Sequence, residues 1–351
     1  VAYLVVFILI FGPKFGYLDA RLLLMPIIFV SRPSFYVLRR MSLVFLALTL
    51  YYITKSLFFQ VNIQILLKLF RVLIVVALTP SLVSNFRISW NHLCVIITIH
   101  SLVVLLMVFA PNVNDVIHYI YGFHKSAKSF RGSGLTLGYD IAGYMSLVGF
   151  ILVLHSRAKY RAWLLLVNML AVGFTSRVSI VLLILLIVFR FFRNATGTKR
   201  GIVFLSIVPI ICYLYINFDT WGFLIGLAKG SVESFGGYAV YTVDSLIEQL
   251  FIWPSNLQGW LFGYIGETRD SGWSMAILNY GLVMIIWVLI SYYSLYLTGR
   301  KSSLILRFIL LTFLLNIKND YLFTRNTFEF LLIVSLIYRS DNFTEIRTLR
   351  S

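Results

Sequence analysis

The segment from His92 to Ala110 reads HLCVIITIHSLVVLLMVFA, an almost unbroken apolar run. A helix of roughly 20 apolar residues is long enough to cross the hydrocarbon core of a bilayer. Because unpaired backbone N–H and C=O groups cannot be left in hydrocarbon, a spanning segment must be a helix or part of a closed barrel. The run lacks the alternation of barrel strands, so it predicts a transmembrane helix.

Similar runs occur along the whole chain. Hydrophobic residues make up 60% of the 351 residues and charged residues only 12%, and the mean hydropathy is +0.90. A soluble globular domain does not normally have this composition. Apolar runs fall near residues 1–12, 17–31, 41–56, 69–86, 92–110, 141–155, 162–175, 177–190, 201–217, 272–297, 303–316 and 326–338. We therefore predict an all-α fold, a polytopic transmembrane bundle of about 12 spans that forms one integral membrane domain over residues 1–351.

The basic residues are not distributed evenly between the connections. The formal net charge is +17, which in a soluble protein would suggest nucleic acid. Here Arg and Lys crowd one set of connections and most Asp and Glu fall on the other, the pattern of the positive-inside rule. The sequence predicts the bilayer as a partner, no nucleic acid, and a multi-pass membrane protein with both termini in the cytoplasm.

Two connections on the predicted outer side are long, residues 111–140 and 217–271. Connections of this length in a compact bundle are usually functional or disordered. The second is rich in aromatic residues, which argues against disorder, and we expect short helices lying at the membrane interface. The inner connections are too short for a nucleotide-binding domain, and no phosphate-binding G-x-x-x-x-G-K-[ST] motif occurs.

The first long loop carries a candidate phosphate site around Arg131. The segment Ser129 to Gly134 is rich in glycine, and Lys125 and Lys128 add positive charge. Glycines let backbone N–H groups approach an anion, and an arginine binds phosphate through several donors. The alternative is a solvated loop whose basic residues touch lipid headgroups.

Further arginines fall at the predicted outer edge. Arg177 stands between two apolar runs, and a charge at such a depth costs roughly 2.5–3.5 kcal/mol unless it is solvated or paired. The alternative is that Arg177 ends a helix and extends its side chain to the membrane surface.

Arg269 and Asp270 are neighbours, with Glu267 close by. The arginine could hold a pyrophosphate and a carboxylate could accept a proton, or the group could simply anchor the membrane edge.

The last outer cluster contains Lys318, Asp320, Arg325 and Glu329. Arg325 and Glu329 are four residues apart on one helix face, where they could simply pair. Glu329 lies within an apolar run and is expected to face the interior of the bundle. The five histidines form no close ligand set and no D-x-D motif is present, so we predict no metal and no cofactor.

At three places the sequence resembles the O-antigen polymerase (Wzy-type) family, polytopic glycosyltransferases of the GT-C class related to the O-antigen ligases. The segments are RGSGLTLGYDIAGY from Arg131, FTSRVSI from Phe174 and RDSGWSMAILNYG from Arg269. The resemblance covers most of the chain as an arrangement of spans and loops.

The resemblance implies a glycosyltransferase at the periplasmic face of the bacterial inner membrane. It would transfer a glycan from undecaprenyl pyrophosphate to a sugar hydroxyl of another lipid-linked repeat unit, making O-antigen or capsular polysaccharide. A polysaccharide chain-length regulator is a further implied partner. Ligases of the superfamily are expected to carry a histidine in the large outer loop, and residues 217–271 contain none, which favours a polymerase.

The resemblance matches Arg131, Arg177 and Arg269 with the family's outer arginines, which would bind the donor pyrophosphate. Arg325 and Lys318 of the last outer cluster are further pyrophosphate-binding candidates. The candidates for the general base are Asp270, Glu267 and Asp140, with Asp270 first because it adjoins Arg269. The candidates for sugar contact are Tyr139, Trp221, Tyr241 and Trp253. A lipid-linked oligosaccharide flippase, another transporter and an O-antigen ligase stay as alternatives.

Overall fold

The structure is a computed structural model that is predominantly helical. It describes residues 1–15, 18–24, 26, 43, 46–47, 49–51, 53–55, 63–121, 133–136, 139–156, 160–175, 177–194, 253–263, 272–316 and 325–348. The chain is all-α in class, as the sequence predicted, apart from one pair of two-residue strands.

Eleven helices can be delimited among the described residues, together with two strands and one 3₁₀ turn. Before the centre of the chain they are α1 (Ala2–Phe11), β1 (Lys14–Phe15), β2 (Leu18–Asp19), a 3₁₀ turn (Ala20–Leu24), α2 (Ile63–Asn85), α3 (Trp90–Phe109), α4 (Pro111–Tyr121), α5 (Tyr139–His155) and α6 (Arg161–Gly173). After it come α7 (Arg177–Asn194), α8 (Leu257–Phe262), α9 (Gly272–Thr298), α10 (Ser303–Leu315) and α11 (Arg325–Thr348).

Two helices are long and apolar enough to cross a membrane, by length and composition, among the residues described. They are Trp90–Phe109, which is α3, and the part Ala276–Thr298 of α9. The remaining apolar helices are shorter, such as Asp140–His155 and Ser303–Leu315. Two helices of spanning length and composition are consistent with a membrane protein, and the described residues do not show the predicted bundle of about 12 spans.

The core contains two neighbouring helix groups. In the first, α3, α5 and α6 pack on one another, and in the second α11 packs on α2, α1, α9 and α10. Asn168 on α6 joins the first group, because its side-chain amide donates to Thr98 at 2.9 Å and its oxygen is 2.8 Å from the hydroxyl of Ser101. Inside an apolar bundle these bonds replace water for polar groups.

Helices α1 and α3 run side by side in the same direction. Tyr3 contacts His92 with 4.5 Å between ring centroids, and Phe11 contacts His100 at 4.8 Å. Tyr3 and Phe11 are eight residues apart, as are His92 and His100, so the two helices are parallel over this length.

The predicted span 17–31 is wrong in its first part. Residues Lys14 to Asp19 include a short antiparallel hairpin in which Lys14 pairs with Asp19, and Ala20–Leu24 is a 3₁₀ turn. Helix α1 stops at Gly12, where the following Pro13 disfavours helical backbone and lacks an N–H. The chain therefore turns back beside α1 instead of starting a second membrane-length helix here.

Most other predicted spans agree with helices to within a few residues, as for α3, α5, α6, α7, α9 and α10. Helix α2 starts six residues earlier than predicted and α11 continues ten residues past position 338. The described positions between 43 and 55 are helical, and the predicted span 201–217 lies outside the described residues.

Candidate functional site: a polar ring at mid-depth

Five residues of five different helices lie at a similar height in the bundle. His100 is ten residues from Trp90 at the start of α3, so at 1.5 Å per residue it lies about 15 Å above that end. The same arithmetic gives about 13–17 Å for Phe11, Tyr144 and Thr312 from the inner ends of their helices. Glu329 lies about 14 Å above Tyr338, whose ring contacts Trp90 at the start of α3. Direct contacts connect these side chains or their neighbours. We call the polar side chains of this set, together with Arg21, the polar ring. The side of the bundle beyond the ring is called the outer side.

The ring contains a buried ion pair between Arg21 and Glu329. Arg21, in the 3₁₀ turn, donates from Nη1 to Oε1 of Glu329 on α11, and both side chains are 1% exposed. The pair holds the turned-back segment after α1 onto α11. The structure confirms that Glu329 faces the interior, but its partner is Arg21, which the sequence analysis did not single out.

The position of Arg21 in the sequence could have identified it as a paired residue. A charged residue in the middle of a predicted span is costly in hydrocarbon and is expected to have a partner. Arg21 lies within the predicted span 17–31. The identity of the partner could not be read from that signal, because Glu329 is 308 positions away.

His100 is a second residue that the sequence analysis passed over. Its Nδ1 accepts the backbone N–H of Leu135 at 3.0 Å, and its ring stacks on Phe11 with 6° between the planes. The phenol hydroxyl of Tyr121 donates a hydrogen bond of 2.8 Å to the backbone carbonyl of Phe11. Burial raises the pKa of the Tyr121 phenol, which keeps it protonated as a donor. The ends of α1 and α4 and the turn Ser133–Thr136 thus meet on α3.

The structure brings the start of α5 against the turn between α6 and α7. A Cβ on Gly143 would lie 2.4 Å from Oγ of Ser179 and 2.8 Å from Oγ1 of Thr175. Only a glycine lets the two backbones approach so closely. Asp140 is three residues before Gly143, and Arg177 lies between Thr175 and Ser179. Two predicted site residues therefore belong to segments that touch.

The outer ends of α9 and α10 join the same region. Tyr144 of α5 contacts the hydroxyl of Thr312 on α10 at 3.0 Å. One turn farther out on α10, the carbonyl of Asn316 accepts the N–H of Trp273 at 3.1 Å, and the indole of Trp273 donates to Phe313 at 3.2 Å. The second long loop thus re-enters the described structure beside the start of α5.

Helices α5, α7, α9 and α11 begin on this outer side, as do α2 and α4. A helix N-terminus carries a partial positive charge, so anions are stabilised there and cations are not. Arg177 is the first residue of α7 and Arg325 the first of α11, and neither helix has an acidic residue in its first turn. Only Asp140, in the first turn of α5, has the sign that suits its position. The N-termini of these helices give this side a partial positive charge.

The described end of the second long loop carries a pair of parallel indoles. Trp253 and Trp260 stack with 5.5 Å between centroids and 12° between planes, and Trp253 is 45% exposed. Helix α8, which follows Trp253, ends at Gly263 against the bend of α9 at Gly281. Lys55 donates to the carbonyl of Phe262 and fixes that end. An exposed indole face suits stacking with a sugar ring.

The other predicted residues divide into two groups. For Tyr139, Arg177 and Arg325 the structure describes the backbone, at the starts of α5, α7 and α11. The remaining candidates lie outside the described residues: Arg131, Lys318, Arg269, Asp270, Glu267, Trp221 and Tyr241. Three of these neighbour described positions of the outer side, since Arg131 precedes Ser133, Asp270 precedes Trp273 and Lys318 follows Asn316, each by two or three residues.

Among the residues that the structure describes, no group of three or more His, Cys, Asp or Glu side chains could hold a metal ion. Comparison of the chain with protein families, with curated proteins and with solved structures found no match. The described residues of the outer side place Arg177 and Arg325 at helix N-termini and Asp140 in the first turn of α5.

Proposed function

We propose that this protein is a repeat-unit polymerase for O-antigen or capsular polysaccharide, a glycosyltransferase of the bacterial inner membrane. In this proposal a bundle of about 12 spans has both termini in the cytoplasm. The outer side described above faces the periplasm, and the two long loops cover it.

One observation carries the proposal: Arg177 and Arg325 begin helices whose first turns lack acidic residues. An arginine at a positive helix end is unfavourable by itself and becomes favourable when an anion binds at that end. A lipid-linked pyrophosphate is an anion that would reach the outer side of the bundle from the bilayer. Arg131, Arg269 and Lys318 are next to described residues of the same face and would add donors.

The reaction needs a base and a stabilised leaving group. An acceptor sugar hydroxyl loses its proton to a carboxylate as its oxygen bonds to the anomeric carbon of the donor. The bond from that carbon to the pyrophosphate oxygen breaks, and undecaprenyl pyrophosphate leaves with the electron pair. Arginines stabilise the charge that develops on it. Among Asp270, Glu267 and Asp140, the contact at Gly143 supports Asp140, because it brings the Asp140 segment to the Arg177 turn.

The test uses purified protein in vesicles with the lipid-linked repeat unit of the cognate strain. We expect a ladder of polymers. Arg177→Ala should lower the rate at least about 10-fold by removing a charge-assisted contact to the leaving group. Arg307→Ala is the matched control, because Arg307 is exposed and lies four residues after Ser303, at the inner end of α10. Absence of any ladder from the folded wild-type protein would refute the proposal.

A flippase is the second candidate, and the Arg21–Glu329 pair favours it. Transporters often place charged groups near the bilayer midplane where helices are interrupted, and this pair is at mid-depth beside the interruption after α1. Movement of a fluorescent lipid-linked oligosaccharide between leaflets of the same vesicles separates the two. Normal polymer formation in Arg177→Ala together with failed movement of the lipid would replace the first proposal by the second.

A further inference from the structure

We propose that His100 is a positioning residue, which fastens the turn Ser133–Thr136 inside the bundle and so sets where the first long loop leaves it. The turn follows Arg131 by two residues and precedes Asp140 by four. The fastening itself follows from the geometry around the histidine. Its consequence for Arg131 and Asp140 rests on the proposed function.

The imidazole contacts three separate segments at once. On one edge Nδ1 accepts the Leu135 N–H at 3.0 Å, which identifies Nδ1 as the unprotonated nitrogen of a neutral ring. On the other edge Nε2 lies 3.5 Å from the carbonyl oxygen of Ala142 in the first turns of α5. One face stacks on Phe11 at the end of α1. The ring itself is fully buried.

Gly134 shows that the turn is fitted to this histidine. Its φ is +54°, and a Cβ added to it would lie 2.5 Å from Cε1 and 2.8 Å from Nδ1 of His100. A turn backbone can lie directly on the ring only because no side chain intervenes. Ser133, Leu135 and Thr136 are all buried beside it. The turn is therefore held within the bundle, below the outer end of α3.

A purely structural histidine would contribute to stability without setting the position of this turn. The two roles separate by a local probe. Ser133 is 5% exposed, and its hydroxyl has no hydrogen-bond partner among the described residues, so Ser133→Cys gives a buried thiol without loss of a bond. The chain should first be freed of its two cysteines by Cys94→Ala and Cys212→Ala.

The first measurement is the rate at which a maleimide labels the thiol of Ser133→Cys in the folded protein in nanodiscs. His100→Phe keeps an aromatic ring on Phe11 but removes the acceptor for Leu135, and we expect labelling at least 10-fold faster. His100→Asn keeps an acceptor near the position of Nδ1 and should restore most of the protection. His155→Phe is the control, because His155 is on the inner end of α5, where its Nδ1 lies 2.8 Å from the carbonyl oxygen of Ile151. Equal labelling in all four proteins would overturn the inference.

A double-mutant cycle covers the case in which His100→Phe does not fold. Gly134→Ala should speed labelling in the parent protein, because the new methyl group collides with the imidazole. In the His100→Ala background that space is open, so the same substitution should change the rate much less. The cost of φ +54° is present in both backgrounds and cancels. An equal effect of Gly134→Ala in both backgrounds would show that the turn does not rest on His100.

Polymer formation by the same variants links the fastening to the proposed function. If the turn is released and Arg131 with it, His100→Phe should raise KM for the lipid-linked donor at least 5-fold, and His100→Asn should recover most of that loss. Faster labelling with unchanged kinetics would leave the fastening established and refute the role of the first loop in donor binding. Unchanged labelling would refute the fastening whatever the activity.

Discussion

Arg21 and Glu329 stand 308 positions apart in the sequence and form an ion pair inside the bundle, with both side chains 1% exposed. The pair joins the segment that turns back after α1 to the outer part of α11. A paired charge that loses its partner in a buried site stays desolvated, so the pair should be strongly coupled.

Breaking the pair should destabilise the protein more than removing it. Glu329→Gln leaves the Arg21 guanidinium buried without its counter-charge, and we expect a loss of about 3–5 kcal/mol in unfolding free energy. The double variant Arg21→Met with Glu329→Leu should lose less than the sum of the single variants. Unfolding in mixed micelles measures this, with the exposed Asp115→Asn on α4 as control. Additive losses would show that the pair is not coupled.

The bend of α9 should depend on glycine at two contacting positions. Gly281 and Gly263 have φ values of 75° and 73°, and a Cβ on either would lie within 2.3–2.8 Å of backbone atoms of the other segment. Alanine at Gly281 should therefore cost about 1–3 kcal/mol. Alanine at Gly173, where a Cβ would meet nothing within 4 Å, should be neutral or stabilising by up to about 1 kcal/mol. Thermal unfolding of the two variants should rank them in this order, and the reverse order would contradict the bend.

The exposed indole of Trp253 should contribute to substrate binding under the proposed function. Trp253→Ala removes a face that can stack on a sugar, and a contribution of about 0.5–1.5 kcal/mol corresponds to roughly a 2- to 12-fold loss in kcat/KM. Trp253→Tyr should lose less. Trp163 on α6 is 68% exposed and two residues from the opposite end of the bundle, which makes Trp163→Ala the matched control. An equal loss at both positions would remove Trp253 from the site.

The two sides of the bundle should be distinguishable in cells. Asn112 at the start of α4 and Lys301 in the turn after α9 are both exposed and belong to opposite ends. With both native cysteines replaced, Asn112→Cys should react with a membrane-impermeant maleimide added to intact spheroplasts. Lys301→Cys should react only after permeabilisation, in keeping with the basic inner side. The opposite pattern would invert the proposed orientation, and both proteins should label equally in detergent.

The helices of this chain were largely readable from the sequence, since hydrophobic runs of membrane length leave the backbone few alternatives. The predicted span 92–110 and helix α3 differ by two residues at one end and one at the other. The prediction for 17–31 was wrong because it counted apolar residues and gave too little weight to Gly12 and Pro13, whose backbone preferences end α1. At this position the backbone preferences of the turn residues, and not hydropathy, determined where the helix ends.

The candidate site was only partly readable. Arg177 and Asp140 were identifiable as polar residues next to spans, since charge at the membrane edge is costly without a role. That their segments touch depends on Gly143, whose missing side chain admits the turn of Thr175 and Ser179. Nothing in the spacing of these residues reports such a close approach, because it is a property of two helices packed together.

The sequence by itself determined that this chain is helical, rich in membrane-length apolar runs and basic on one set of connections, because hydrophobicity and charge act through the composition of each segment. The tertiary structure decided which charges and rings meet. Glu329 pairs with Arg21 from the other end of the chain, and the turn at Gly134 packs on His100. These contacts depend on how helices from distant parts of the chain stack at the same depth, and the local pattern of residues does not encode that depth.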